Sequence, residues 1–221
     1  MMNATMDTLG RAPVYVISRD GEPERLVALW AEADRLGVTL HRIAATDPAE
    51  GDDAALIRSS DHRRAWARVA EGDDAHAVVL EDDAALDDRL APLLDAARLL
   101  REVPDHGVVN LDGGRPGEGD PRIVRPSGPL QRCGAYVVAR GAARALLNAP
   151  RRAEPLERTL ARRAQHGVEV CVAEPAPVVA PGAADAGVAG GWLARLGQFV
   201  RGERGGVAAN VPPLRPVPAH D

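Results

Sequence analysis

The chain has 221 residues, a length that suits one domain with a sizeable core and a tail. Its net charge of -5 and its aromatic content of 3% exclude the basic, stacking surface that is typical of proteins binding nucleic acid. Hydrophobic residues make up 45% of the sequence, which excludes a disordered composition.

Neither a membrane span nor a secretory signal is predicted. No apolar run approaches the ~20 residues that a transmembrane helix needs, and the first ten residues lack the basic start and apolar stretch of a signal peptide. We therefore expect a cytoplasmic protein. Cys133 and Cys171 lie in apolar, strand-like runs without zinc-site spacing, and we expect both to be buried free thiols.

The first half of the chain alternates predicted strands and helices. Apolar residues at helical spacing indicate the helices, and short apolar runs bounded by polar residues indicate the strands. In chain order we predict a strand at 13–18, a helix at 23–36, a strand at 38–43, a short helix capped by Ser60 or Asp61 and ending at Gly72, and a strand at 75–80.

The second half continues the alternation. We predict a helix with one apolar face at 90–100, a strand at 108–111, a long loop rich in Gly and Pro at 113–130, a strand at 134–138, helices at 142–147 and 155–166, a strand at 168–173 and an extended segment at 175–181. Strands that alternate with helices predict an α/β fold with a mainly parallel sheet and helices on both faces.

We divide the chain into an N-terminal tail at 1–12, a domain at 13–181 and a tail rich in Gly, Pro and Ala at 182–221. Within the last tail, residues 191–204 have the spacing of a short amphipathic helix with three arginines. Such a helix is suited to peripheral contact with an anionic membrane surface. Alternatively the segment packs back on the domain or is a solvated tail, because three arginines attract a membrane only weakly.

The strand at 75–80 runs directly into Glu81, Asp82 and Asp83. In an open α/β sheet, ligands bind just beyond the carboxyl ends of such strands. Three adjacent carboxylates repel one another, and a divalent cation such as Mg²⁺ or Mn²⁺ relieves that repulsion. A metal so placed suits a nucleotide diphosphate, although the acids could also begin a surface turn or cap the next helix.

Asp112-Gly113-Gly114 follows the strand at 108–111 in the same way. The pair of glycines permits either a tight turn or a close approach of the backbone to a ligand. Both interpretations remain open, and the second makes Asp112 a candidate contact to the donor.

Four segments in a fixed order resemble glycosyltransferase family 25, the bacterial lipooligosaccharide galactosyltransferases and their collagen-modifying relatives. They are Val16-Ile17-Ser18-Arg19 with the later Arg25, Ser60-Asp61-His62 with Trp66, Leu80-Glu81-Asp82-Asp83, and Gly134-Ala135-Tyr136-Val137-Val138 before Gly141-Ala142. The resemblance covers about residues 13 to 180.

The resemblance implies a nucleotide-diphospho-sugar transferase fold of the GT-A, Rossmann-like type. It implies transfer of a hexose, usually galactose, from a UDP-sugar to a saccharide or glycolipid acceptor with inversion, in the synthesis of lipopolysaccharide or another cell-surface glycan. Such an enzyme would work in the cytoplasm, with peripheral contact at the inner membrane face.

The site residues implied by this reasoning have separate roles. Asp83, with Asp82, would hold Mn²⁺ or Mg²⁺ and so stabilise the leaving UDP. Inversion needs a base, for which Glu157 and His62 are the candidates. The candidates for donor binding are Ser18, Arg25, Glu81, Asp82 and Asp112.

The sequence departs from the family pattern at Ser18, Arg19, Gly21, Asp61 and Glu157. A catalytically degenerate nucleotide-sugar-binding module therefore remains an alternative, as does a metal-dependent hydrolase of nucleotide sugars. The intact Glu81-Asp82-Asp83 favours the transferase, because a site released from metal binding need not keep three adjacent acids.

Overall fold

The computed structural model describes residues 10–115, 117–130, 132–150, 152, 154–164 and 167–179. The strands are β1 (Val14–Ser18), β2 (Leu40–Ala44), β3 (His76–Glu81), β4 (Ala85–Leu86), β5 (Gly107–Asn110), β6 (Arg122–Val124), β7 (Ala135–Ala139), β8 (Glu169–Glu174) and β9 (Val178–Val179). The helices are α1 (Pro23–Arg35), α2 (Ala54–Glu71), α3 (Leu90–Leu93), α4 (Ala96–Glu102), α5 (Arg140–Leu147) and α6 (Leu156–Ala164).

Seven strands form one sheet in the order β2-β1-β3-β7-β5-β8-β6. Strands β2, β1, β3, β5 and β8 run in one direction, whereas β7 and β6 pair with their neighbours in antiparallel fashion. The predicted fold class, α/β with a mainly parallel sheet, is confirmed. Strands β4 and β9 form a separate antiparallel pair.

Helices cover both faces of this sheet. Leu26 and Leu29 of α1 pack in one hydrophobic cluster, and Ala65 and Trp66 of α2 pack in the other. Residues 77–80 of β3 alternate between the two clusters, and all four are buried. A strand covered on both faces needs an apolar side chain at every position, which explains the continuous run in the sequence.

The order of the strands reverses between β1 and β3, and we call the position beyond the carboxyl ends of these two strands the crevice. The chain leaves β1 through α1 on one face to reach β2, and returns through α2 on the other face to reach β3. The connections from neighbouring strands therefore diverge at this point. In open α/β sheets such a topological switch point, at the carboxyl ends of the strands, is where ligands bind.

Helix α2 corrects one prediction. It begins at Ala54 and is capped by Asp53, whose side chain accepts hydrogen bonds from the backbone N–H groups of Ala55 at 2.9 Å and Leu56 at 3.1 Å. Ser60 and Asp61 lie inside the helix. Asp61 is buried there and accepts a hydrogen bond from the Thr46 hydroxyl at 2.9 Å, so a tertiary contact engages the side chain that the sequence suggested as a cap.

Two further predictions differ from the structure. The helix predicted at 90–100 is divided, because the Asp95 side chain accepts from the backbone N–H of Arg98 at 2.6 Å and so caps α4 as a new helix. The loop predicted at 113–130 contains β6, which pairs with β8 at the edge of the sheet. A strand of three residues is too short to give a clear period in the sequence.

Cys133 and Cys171 are buried free thiols, as predicted. The tail residues 1–9 and 182–221, including the segment 191–204, lie outside the described residues, so their organisation stays a prediction. Within the described part of the chain, no helix combines the length and the apolar character needed to cross a bilayer.

Candidate functional site

Acidic side chains gather at the carboxyl edge of the sheet. Glu81 ends β3, and Asp112 follows β5. Strand β7 is antiparallel to both, so its first residues lie at this same edge. A Cβ atom placed on Gly134 would lie 3.2 Å from Asp112 Oδ2, 3.3 Å from Glu81 Oε2 and 3.4 Å from Arg132 Nε. These three side chains therefore converge on one glycine, whose missing side chain leaves them room.

Glu81 is held by two side chains from α2. Its Oε1 atom accepts hydrogen bonds from Arg58 Nε at 2.5 Å and from His62 Nε2 at 2.8 Å. Burial by itself would raise the pKa of Glu81, but the hydrogen bonds and charges of His62 and Arg58 outweigh it and lower the pKa to about 2. The carboxylate is therefore ionised and oriented.

Behind Glu81 a hydrogen-bonded chain crosses the core. Trp66 Nε1 donates to the Tyr136 hydroxyl at 2.9 Å, and that hydroxyl lies 2.8 Å from His62 Nδ1. His62 Nε2 carries a proton whenever it bonds to the Glu81 carboxylate, since a carboxylate only accepts. In neutral His62 both ring nitrogens are thus engaged. This arrangement makes His62 a support for Glu81, and its role as a base stays a prediction.

Replacing Tyr136 with phenylalanine is expected to lower the free energy of unfolding by about 1–3 kcal/mol, because Trp66 Nε1 and His62 Nδ1 would be buried without a partner. Urea unfolding followed by tryptophan fluorescence measures the loss. Tyr15→Phe is the matched control, since Tyr15 is only half-buried. Equal, small losses of unfolding free energy in both variants would show that the hydrogen bonds among Trp66, Tyr136 and His62 do not stabilise the protein.

Arg132 joins two of the carboxylates. Its Nη2 atom lies 2.7 Å from Asp83 Oδ2, and its Nε atom lies 3.1 Å from Asp112 Oδ2. Asp112 Oδ2 also accepts from the backbone N–H of Gly134 at 2.9 Å. The other oxygens, Asp83 Oδ1 and Asp112 Oδ1, are buried and have no hydrogen-bond partner among the described residues. Unpaired buried oxygens are costly, and they are available to a ligand.

Asp112 is the most deeply buried of these acids, with 2% of its side chain exposed. Burial raises its pKa to about 6, and the nearby Glu81 charge acts in the same direction, although the Gly134 N–H and Arg132 oppose the shift. The protein therefore holds this carboxylate in an environment that disfavours its charge.

Because of that environment, Asp112→Asn is expected to raise the free energy of unfolding by about 3 kcal/mol at pH 8. The folded pKa, about 6, lies above the ordinary value of 3.8, so the native carboxylate destabilises the fold increasingly as the pH rises from about 4 to 6, and fully above pH 6. The advantage of the variant should shrink as the pH falls and vanish near pH 4. Urea unfolding at four pH values, with the exposed Asp120→Asn as control, checks this; a gain that does not change with pH would contradict it.

Asp82 lies across the crevice between β1 and β3. Its Oδ2 atom accepts from the backbone N–H of Arg19 at 3.3 Å, and burial raises its pKa. Ser18 is buried and its hydroxyl accepts from Arg42 Nε at 2.8 Å. Arg25 is 52% exposed and pairs with Glu22 at 2.5 Å. The three predicted donor contacts thus lie on residues at or near the ends of β1 and β3, and their roles stay predictions.

Glu157 reaches the same edge from α6. Its Oε1 atom accepts from the backbone N–H of Cys133 at 3.0 Å and from Arg58 Nη1 at 3.3 Å. Arg58 therefore bridges Glu157 and Glu81, two acids that lie far apart in the sequence. The structure brings both proposed bases, Glu157 and His62, to the acidic cluster.

Sequence reasoning missed Arg58, Asn110 and Arg132, and it named Tyr136 only as part of a segment that resembles the family. Arg58, His62 and Trp66 are spaced by four residues on one helix, so they share a face, and this spacing could have identified Arg58. Asn110 accepts a hydrogen bond from the Asp112 N–H at 3.0 Å and donates to Cys133 Sγ at 2.9 Å. No local pattern marks Arg132, which lies in an irregular segment.

The glycines after Asp112 are explained by close packing. A Cβ atom on Gly114 would lie 2.1 Å from the Ala173 carbonyl oxygen, and one on Gly113 would lie 2.8 Å from Asn110 Oδ1. These distances exclude a side chain at either position without movement of the backbone. The glycines therefore let the backbone beside Asp112 pack closely, and the role of Asp112 as a ligand contact stays a prediction.

A divalent cation fits part of this site. Asp83 and Asp112 offer the hard oxygen atoms that Mg²⁺ and Mn²⁺ prefer, and each has an oxygen without a partner within the described part of the chain. No three His, Cys, Asp or Glu side chains of the described residues are grouped so that they could hold a metal by themselves. Mg²⁺ is commonly bound by one or two carboxylates together with substrate phosphates. A cation here would bind weakly to the protein by itself, and a diphosphate would complete its ligands.

A cavity of about 230 Å³ lies elsewhere, at the opposite edge of the sheet near Val14, Val38 and Leu94. The residues that line it include one acid, Asp74. We place the functional site at the carboxyl edge, because the ionised and unpartnered groups are there.

No protein-family model matches this chain, and no curated protein matches it. The resemblance to glycosyltransferase family 25 therefore gains no support from a family match. Solved structures do match this chain, and three of them are described below.

A glycosyltransferase involved in the glycosylation of the major capsid of PBCV-1 is 12% identical, with 72% of this chain and 80% of that chain covered at a TM-score of 0.40. A mutant Drosophila β-1,4-galactosyltransferase in complex with manganese, UDP-Gal and xylobiose is 14% identical, with 77% of this chain and 71% of that chain covered at a TM-score of 0.43. The inositol-1-phosphate CTP transferase from T. maritima is 11% identical, with 74% of this chain and 86% of that chain covered at a TM-score of 0.40. These neighbours are glycosyltransferases and a nucleotidyltransferase.

Proposed function

We propose that this protein is a metal-dependent glycosyltransferase of the GT-A type that moves a hexose, galactose first among the candidates, from a UDP-sugar to a saccharide acceptor. One observation carries the proposal. At the carboxyl edge of the sheet, Asp83 after β3 and Asp112 after β5 each keep a buried carboxylate oxygen with no partner among the described residues, and Asp82, beside Asp83 in the sequence, contacts the end of β1. Such oxygens suit a cation that arrives together with a diphosphate.

In this proposal the donor lies along the crevice between β1 and β3. Asp83, with Asp82 and Asp112 beside it, would hold Mn²⁺ or Mg²⁺, and Ser18, Arg25 and Glu81 would border the nucleotide. When bound, the metal would stabilise the negative charge that builds on the departing UDP. The ionised Glu81, fixed by Arg58 and His62, would keep the strand end and its acids in position.

Glu157 is the proposed base. Both of its described hydrogen bonds fall on Oε1, so Oε2 is the atom that we assign to the acceptor hydroxyl. Inversion requires that hydroxyl to form a bond to the anomeric carbon from the face opposite the departing UDP, while Glu157 takes the hydroxyl proton. His62 would orient the neighbouring Glu81 or, if its bond to Glu81 opens, would act as the base itself.

The acceptor class is inferred from the resemblance alone. A saccharide or glycolipid of lipopolysaccharide or another surface glycan fits a family 25-like enzyme. The arginines and apolar residues of 191–204 would then give peripheral contact with the inner face of a membrane.

Calorimetry tests the donor site. UDP, UDP-galactose, UDP-glucose and GDP-mannose are titrated into the protein with Mn²⁺ and, in parallel, with EDTA. We expect UDP compounds to bind only with the metal, and UDP-galactose to release UDP when a saccharide acceptor is added. Equally weak binding of all four compounds, with or without metal, would reject the proposal.

A further inference from the structure

Arg132 occupies the centre of the acidic cluster. Its guanidinium contacts Asp83 at 2.7 Å and Asp112 at 3.1 Å, and Glu81 Oε2 borders the same glycine that Arg132 Nε approaches. One positive charge thus serves several carboxylates. The two acids that it joins still keep unpartnered buried oxygens among the described residues, which is the mark of an incompletely neutralised site.

The backbone next to Arg132 is fixed, whereas the side chain is not enclosed. Cys133 N–H donates to Glu157 at 3.0 Å and Gly134 N–H donates to Asp112 at 2.9 Å, so the main chain is anchored to the cluster. The Arg132 side chain is 31% exposed and the Asp83 side chain 28% exposed. The guanidinium can therefore leave the carboxylates by rotation of its own side chain, without movement of the strand.

We propose that Arg132 is an exchangeable counter-ion: it neutralises Asp83 and Asp112 when no cation is bound, and it transfers to the diphosphate of the donor when a cation takes its place. This inference rests on the proposed function and deepens it, because it gives a diphosphate contact to a residue that lies outside the acidic motif.

The chemistry of the groups supports the exchange. A guanidinium and a divalent cation both bind through the carboxylate lone pairs, and each repels the other, so the two compete for Asp83 and Asp112. A displaced guanidinium remains tethered beside the site. Its fork of N–H donors matches a phosphate, to which it can make two parallel hydrogen bonds.

A fixed structural salt bridge is the competing explanation. In that case, removing Arg132 would loosen the site and weaken the binding of metal and nucleotide together. The exchange instead requires opposite effects on the two ligands, and this difference in sign makes the test decisive.

The test compares the wild type with Arg132→Met and Arg132→Lys. Calorimetry measures Mn²⁺ alone, and then UDP at saturating Mn²⁺. Arg132→Met should bind Mn²⁺ alone about tenfold more tightly, since a neighbouring positive charge is gone. It should bind UDP about tenfold more weakly, since a charge-assisted hydrogen bond is lost. Arg132→Lys, which keeps the charge, should retain the Mn²⁺ affinity of the wild type and show an intermediate affinity for UDP.

Arg122→Met, at an exposed position of β6, is the control and should change neither affinity. Weaker or unchanged Mn²⁺ binding by Arg132→Met would overturn the exchange, as would an absence of Mn²⁺ binding by every variant. Failure of the proposed function looks different: the wild type would bind no UDP with any metal. Circular dichroism of each variant, with Arg132→Lys as the milder change, separates these outcomes from misfolding.

Discussion

Asp83→Asn is expected to weaken the Mn²⁺-dependent binding of UDP by at least about 100-fold. Residues that only support a metal ligand cost up to about 100-fold when they are replaced, and a direct ligand should cost at least as much. Asparagine preserves the shape of the side chain but removes the charge that attracts the cation. The buried Oδ1 position, which has no partner among the described residues, would then offer an amide or a neutral oxygen. Calorimetry with UDP and Mn²⁺ measures the change.

Asp88→Asn is the matched control. Asp88 lies five residues after Asp83, beyond β4, and pairs with Arg35, but 80% of its side chain is exposed. Its replacement should leave UDP binding unchanged. If Asp83→Asn binds UDP with the same metal dependence as the wild type, Asp83 is not a ligand and the metal site lies elsewhere.

Glu81→Gln is expected to lower the free energy of unfolding by about 3 kcal/mol at pH 7. This energy corresponds to the difference between the folded pKa, about 2, and the ordinary pKa of 4.5. The variant keeps the shape of the side chain and loses the charge that pairs with Arg58 and His62. Removing one partner leaves the other charged groups partly buried without compensation.

The lowered pKa of Glu81 also predicts how the stability difference between the two proteins changes with pH. A carboxylate whose pKa is lowered by folding stabilises the protein above its unfolded pKa, and that contribution is lost as the pH falls through the folded value. The difference between the wild type and Glu81→Gln should therefore be constant above pH 5 and shrink between pH 4.5 and pH 2. Urea unfolding at a series of pH values measures it, with Glu102→Gln, a half-exposed surface pair, as control. A difference that persists at pH 2 would assign the effect to packing instead.

The helices and strands show where local pattern suffices. The run Ala77–Leu80 is apolar at each position, because both faces of β3 are covered, and its prediction as a buried strand is confirmed. The start of α2 shows where it fails. Asp53, Ser60 and Asp61 are all residue types that cap helices, but Asp53 is the cap of α2, whereas Asp61 lies inside the helix and contacts Thr46 and Arg64.

The candidate site divides in the same way. Sequence reasoning selected Glu81, Asp83, His62 and Glu157, and the structure gathers all four at one edge of the sheet. Sequence reasoning did not select Arg58 or Arg132, although these two arginines link the acids to one another. Arg132 is an ordinary residue in its local context, and both arginines contact acids that are remote in the chain.

The sequence by itself determined which segments are buried, that strands alternate with helices, and that three acids follow a buried strand. These properties depend on neighbours within a few residues, through hydrophobic period and turn chemistry. The tertiary structure alone decided which charges face those acids. Strand β7 enters the sheet antiparallel between β3 and β5, and this carries Arg132 to Asp83, 49 residues away, and to Asp112, 20 residues away. Strand order results from packing of the whole domain, so no local pattern contains it.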